Sequence, residues 1–98
     1  MIHAEFEIHD PVGYSQYSKL AQIAIEEFAS AGYQIEPLSG DDHPKIYEGA
    51  KPANHLMVVK FKSREDYETF LSSESYQRAL PHRLAASTTQ FIMAMDAV

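Results

Sequence analysis

Residues 2–32 read IHAEFEIHDPVGYSQYSKLAQIAIEEFASAG, one element that changes period halfway along. Ile2, Ala4, Phe6 and Ile8 alternate with His3, Glu5, Glu7 and His9. A period of two gives a strand with one apolar and one polar face. The alternation stops at Asp10-Pro11, a helix N-cap residue followed by the proline that first helical turns accept. From there Tyr14, Tyr17, Leu20, Ala21, Ala24, Ile25, Phe28 and Ala31 fall on one arc at 100° per residue. Ser15, Ser18, Lys19, Gln22, Glu26 and Ser30 take the other side, and Gly32 supplies a left-handed stop.

Downstream the strand–helix pattern returns. Tyr33–Leu38 reads as a second strand, and Ser39–Pro44 is dense in turn formers. Lys45–Gly49 resumes strand pairing before a turn around Lys51-Pro52-Ala53-Asn54. In His55–Lys62, Met57, Val59 and Phe61 share one face and Leu56 and Val58 the other, as in a central strand. Ser63 with Asp66 forms a capping box opening a helix through Tyr67, Phe70 and Leu71. Helix continues over Ser73–Ala86, where Pro81 requires a kink or a fresh start, and Thr88–Met95 is the last strand.

The order β-α-β, β-α-β predicts an α+β domain of the ferredoxin-like kind spanning residues 1–98: a four-stranded antiparallel sheet with helices on one face. The open face then carries Leu56 and Val58 with one parity of the last strand, either Phe91, Met93 and Met95 or Ile92 and Ala94. Monomers rarely expose such a patch, so the expectation is a homodimer with its two sheets facing each other.

Composition narrows the function classes. Fourteen acidic against eight basic residues give a charge of -6, and the basic residues are dispersed. Nucleic-acid binding calls for a concentrated basic face, so no nucleic-acid partner is expected. With no cysteine there is no disulfide, thiolate metal site or cysteine nucleophile. The N-terminus lacks the pattern of a signal peptide, and no run of about 18 apolar residues occurs. A cytoplasmic protein with no membrane partner is the expectation. The four glycines are dispersed, so no phosphate-cradling loop is read, and no serine lies in a nucleophile elbow.

Several short motifs, in this order, resemble a known family: Asp10 with Tyr14 and Tyr17, Gly32, Tyr47-Glu48-Gly49, Phe61-Lys62-Ser63, Ser73-Glu74-Ser75-Tyr76-Gln77, and Arg83. Together they resemble the domain of unknown function family numbered 1330, of the dimeric α+β barrel proteins. Lys62 stands where that family often has proline, and Met95-Asp96-Ala97-Val98 where it tends to a glycine. The resemblance implies a barrel-forming homodimer and no particular reaction. Relatives in the wider superfamily include cofactor-free oxygenases, haem-degrading enzymes and lactone isomerases, an analogy of fold rather than of site.

Five histidines invite a metal hypothesis, but no helical His pair exists, and strand parity sends His3 and His55 to opposite sides of the sheet. No metal site is therefore expected. Glu5 and Glu7 share a strand face about 7 Å apart; either they form a cross-strand ion pair with Lys60 or one is a proton acceptor in a barrel interior. Tyr14 and Tyr17 lie on the buried helix face, as core residues or as hydrogen-bond partners of a ligand. Arg83 offers a planar fork to a ligand carboxylate or makes a salt bridge to an acidic residue of either subunit.

The site expected is a pocket between the first helix and the sheet, with His55 and Glu48 as catalytic groups and Tyr17 and Arg83 as ligand-binding groups. Proton transfer on a small organic acid, or on an aromatic or lactone-like compound, needs no cofactor, and none is expected. The alternative is a homodimeric interaction module without chemistry, having a filled barrel and Ile23 as a contact point.

Overall fold

The structure is a computed structural model describing residues 1–50 and 53–96. Its elements run β1 (Ile2–Ile8), α1 (Pro11–Ser30), β2 (Ile35–Asp41), β3 (His55–Phe61), α2 (Arg64–Ser72), α3 (Glu74–Ala86) and β4 (Ser87–Ala94). All pairings are antiparallel and the strand order is β2-β3-β1-β4, with β3 and β1 central. This is the ferredoxin-like arrangement, and the three helices cover one face.

Both ends of α1 follow from its sequence. The Asp10 side chain accepts from Gly13 N at 3.1 Å, satisfying one of the amides a helix start leaves open. At the other end Gly32 takes φ +95°, Gly32 N donates to Ala29 O, and Tyr33 N donates to Phe28 O. Those bonds make a Schellman stop, and the Tyr33 ring closes it by stacking on Phe28 at 4.2 Å. Between the caps the buried residues Tyr14, Tyr17, Ala21, Ala24 and Phe28 recur every three or four positions. They pack on the even residues of β1, Ile2, Ala4 and Phe6, and on Phe61 and Phe70. Each buried large side chain contributes about 1.5–3 kcal/mol.

The second crossover differs from expectation in where it breaks. α3 runs unbroken through Pro81, and the fresh start lies at Ser73 instead. Ser73 Oγ donates to Phe70 O at 2.7 Å and accepts from Tyr76 N at 3.2 Å, so one side chain ends α2 and begins α3. α3 lies beside α1, and its last carbonyl, on Ala86, accepts from both His9 N and Asp10 N.

β2 begins and ends later than the Tyr33–Leu38 span, because Tyr33 serves the helix stop and Ser39–Asp41 pair with β3. Lys45–Gly49 forms no strand. That segment belongs to an irregular connection after Asp41, held by the Asp41 side chain accepting from His43 N. Of the turn expected over residues 51–54, Lys51 and Pro52 lie outside the described residues. Ala53 N and Asn54 N donate to the Glu5 and Glu7 carboxylates, and the Asn54 side chain bonds both N and O of Ile8. The expected ion pair is therefore replaced: Glu5 and Glu7 hold the approach to β3, and Lys60 lies opposite Glu36.

Two bulges decide which side chains face the helices. In β4 the pairing with β1 shifts between Glu5 and Phe6, so Phe6 pairs with Thr89 while Glu5 pairs with Phe91, and Gln90 is the extra residue. Thr89 accordingly shares the helix-covered face with Phe6, whereas Phe91 and Met93 share the open face with Glu5 and His3. The parity left undecided by the sequence thus resolves to Phe91 and Met93, beside Leu56 and Val58. The second bulge, at Leu38, separates Pro37↔Val59 from Ser39↔Val58.

Candidate functional site

One level of the sheet carries the site. His55, Phe6 and Thr89 are neighbours across β3, β1 and β4, and all three sit on the helix-covered face. α1 lays Tyr14 against two of them, with ring centroids 5.4 Å from His55 and 6.4 Å from Phe6. One turn on, Tyr17 meets α3: its hydroxyl is 3.1 Å from that of Tyr76.

Arg83 descends onto the same level from α3. It is 5% exposed, its guanidinium lies 4.9 Å from the Phe6 ring centroid and 5.8 Å from that of Tyr17, and Nη1 donates to Thr89 Oγ1 at 2.8 Å. Among the described residues no carboxylate lies within salt-bridge distance of it, and its buried Nε has no hydrogen-bond partner. Of the salt bridge to either subunit read as the alternative, the form within one protomer is not made among the described residues. An arginine does not shed its proton, so the charge stays and must be stabilised in place.

The surrounding phenols do not supply a counter-charge. Burial pushes Tyr14 up to about 12 and pushes Tyr17 higher still; the nearby Arg83 offsets only part of this. Tyr67 is likewise raised to about 12, chiefly by burial. All three are neutral hydroxyls at neutral pH. The result is a cationic fork in an aromatic setting, a combination that favours an anion able to accept two parallel N–H bonds.

Between α1 and the sheet lies a cleft of about 280 Å³, lined mainly by apolar side chains together with Tyr14, Tyr17, Tyr76 and His55. The rings against which Arg83 rests, Phe6 and Tyr17, form part of its wall. A second depression, about 460 Å³, is bounded by Pro11, Ser15, Asp42, His43 and Asn54. Tyr14, Ser18 and His55 border both, so they form the partition. His55 Nδ1 contacts Asp42 Oδ1, the His55 side chain being 18% exposed and that of Asp42 64%.

Three of the four expected site residues are thus brought together. Tyr17 and His55 line the apolar cleft, and Arg83 backs it. Glu48 is exposed in the connection after β2 and borders neither cavity. His3 and His55 do lie on opposite faces. His3 Nε2, on the open face, is buried without a hydrogen-bond partner. Among the described residues no group of three or more His, Asp or Glu residues is placed to hold a metal ion.

Two participants are visible only in the structure. Thr89 reads as a strand residue of undecided parity until the bulge at Gln90 is known. Asp42 reads as part of an acidic turn, thirteen residues from His55, yet the β2–β3 pairing ends at Asp41↔Leu56 and carries the next residue to His55. A hairpin register would have revealed it, but the bulge at Leu38 conceals that register from the sequence.

The Domain of unknown function (DUF1330) family matches residues 1–97. The chain belongs to this family. No curated protein matches it. In this DUF1330 chain the motif residues Asp10, Tyr14, Tyr17, Gly32, Ser73, Tyr76 and Arg83 have identifiable work. Asp10, Gly32 and Ser73 form helix caps, Tyr14, Tyr17 and Tyr76 line the cleft, and Arg83 rests behind its wall on the Phe6 and Tyr17 rings. The motif residue Glu48 has no comparable contact among the described residues.

Proposed function

We propose that this protein is a cytoplasmic homodimer that binds a small organic acid, aromatic or lactone-like in its apolar part, between α1 and the sheet. It moves a proton on that ligand without an organic cofactor. The observation carrying this reading is Arg83: a buried guanidinium, unpaired with any carboxylate among the described residues, resting on two rings that wall an apolar cleft. A monocarboxylate supplies the missing charge and fills the cleft with its hydrocarbon portion. Tyr17 and Tyr76 offer hydroxyls beside it, and His55 at the partition is the proton acceptor.

Homodimerisation is supported by the open sheet face, where Phe91 and Met93 are 36% and 43% exposed beside the half-buried Leu56 and Val58. A second sheet laid on that face removes the patch from water. A pairing module with no ligand gains some support from Ile23, 49% exposed on α1. A buried, uncompensated guanidinium is costly in such a module and useful in a binding protein, which favours the first reading.

Isothermal titration with benzoate and phenylacetate, against the uncharged benzamide, tests it. Wild-type protein binds the acids and not the amide. Arg83→Gln loses a charge-assisted hydrogen bond of about 1.5–3 kcal/mol and weakens binding by about ten- to a hundredfold or more. His55→Ala also loses affinity while the fold persists. Equal binding of benzamide, or undiminished binding by both variants, rejects the site.

A further inference from the structure

His55 is placed unlike any other histidine of the chain. It is held by β3 on the helix-covered face, braced edge-on by the Tyr14 ring at 5.4 Å, and bordered by both cavities. One nitrogen, Nδ1, contacts Asp42 Oδ1. Asp42 borders only the more polar depression, so its carboxylate approaches the ring from the side away from the apolar cleft.

Asp42 is itself held in place. The β2–β3 ladder carries it to His55, and the chain just after it is tied back when Asp41 accepts from His43 N. The approach to His55 from the other direction is tied down as well: Glu5 and Glu7 hold Ala53 N and Asn54 N, and Asn54 is bonded to both N and O of Ile8. The backbone flanking each partner is therefore anchored, that of Asp42 just past the end of β2 and that of His55 at the start of β3. Surface ion pairs lack this arrangement, since they rest on the side chains alone.

We infer that Asp42 is a positioning residue that selects the tautomer of His55. An ionised carboxylate can only accept, so the neutral ring must carry its proton on Nδ1, and Nε2 becomes the lone-pair nitrogen. The inference deepens the reading of His55 as a proton acceptor and rests on it for its purpose. In the step it serves, a proton leaves the bound organic acid for Nε2, and the electron pair of the broken bond stays on the ligand. The imidazolium so formed sits against the Asp42 carboxylate, which stabilises it without taking up the proton. A histidine without this partner is free to place its proton on Nε2, and that tautomer cannot accept there.

The test needs no ligand. Two-bond proton–nitrogen correlation spectra of nitrogen-15-labelled protein, recorded at a pH where the imidazoles are neutral, report which ring nitrogen carries hydrogen. The His55 signals are assigned by their disappearance in His55→Gln. Wild-type His55 shows hydrogen on Nδ1 and a pyridine-type Nε2. Asp42→Ala reverses the assignment, with a well-dispersed amide spectrum confirming the fold. Hydrogen on Nε2 in the wild type overturns the inference, and that spectrum alone suffices should the variant fail to fold. An unchanged tautomer in Asp42→Ala overturns it too. Because the protein is ligand-free, these outcomes are separate from the benzoate titration: equal binding of benzamide, or undiminished binding by both variants, refutes the Arg83 site and leaves the tautomer measurement standing.

Discussion

Exchanging Arg83 for methionine replaces a buried guanidinium by an uncharged side chain of similar reach. Two favourable contributions disappear. The hydrogen bond to Thr89 is charge-assisted, about 1.5–3 kcal/mol at most, and less here because Thr89 is exposed to water. The contacts over the Phe6 and Tyr17 rings add about 0.5–2 kcal/mol. Against these stands the cost of holding a charge away from water, several kcal/mol per ion, with no carboxylate among the described residues to offset it. The terms nearly cancel and lean toward methionine, by about 0–2 kcal/mol. For a chain near 100 residues, 1 kcal/mol shifts Tm by about 4–8 °C, so Arg83→Met melts at the wild-type temperature or somewhat above it. The assay is thermal unfolding by circular dichroism at one fixed protein concentration, with and without benzoate. Benzoate at a hundred times the wild-type Kd stabilises the wild type by about 2.7 kcal/mol and Arg83→Met, its affinity about ten- to a hundredfold lower, by only about 0.4–1.4 kcal/mol. A loss of about 3–5 kcal/mol in Arg83→Met, the penalty seen when a compensated buried charge network is broken, would refute the reasoning. So would a wild type indifferent to benzoate.

Two further outcomes follow from the same geometry. Tyr14 and Tyr67 ionise more readily in the unfolded chain, at the ordinary 10.0, than in the fold, at about 12. The stability their neutral forms contribute is complete below pH 10 and declines as pH rises toward 12; ultraviolet titration should show these tyrosinates forming late, with alkaline unfolding, and ionisation of every tyrosine before unfolding contradicts it. Met93→Asp places a carboxylate on the open face, so sedimentation velocity should show a dimeric wild type and a folded monomeric variant; a wild-type monomer, or a variant that stays dimeric, removes the paired-sheet reading.

How far the sequence speaks depends on the range of the interaction involved. The alternation through Ile2–Ile8, the Asp10-Pro11 start and the Gly32 stop are local, and the structure reproduces each of them. The pattern points to a break at Pro81, but the break lies at Ser73: a proline's lost N–H is tolerated within α3, whereas a serine able to bond both flanking turns ends one helix and starts another. Strand adjacency points Glu5 and Glu7 toward Lys60. In the fold they are taken by Ala53 N and Asn54 N, backbone donors that no side-chain pattern reveals. The site divides along the same line. Tyr17, His55 and Arg83 could be proposed from residue type and face, but Asp42 and Thr89 depend on pairing registers altered by single extra residues at Leu38 and Gln90.

The extra residue in β4 has a consequence for how this protein can change over generations. Residues 89, 91 and 93 share one parity in the sequence, and in a regular strand a substitution program aimed at one side of the sheet would have to respect all three. With Gln90 inserted into the ladder, Thr89 answers to Arg83 inside while Phe91 and Met93 answer to whatever covers the outside. Variation in the outer pair can retune association without touching the anchor of the guanidinium, and variation at Thr89 can retune the guanidinium without touching association. Drawing Gln90 into a regular ladder, without removing it, would couple the two again, turning a threonine outward or a phenylalanine inward. A bulge of one residue thus lets a single edge strand evolve in two directions independently.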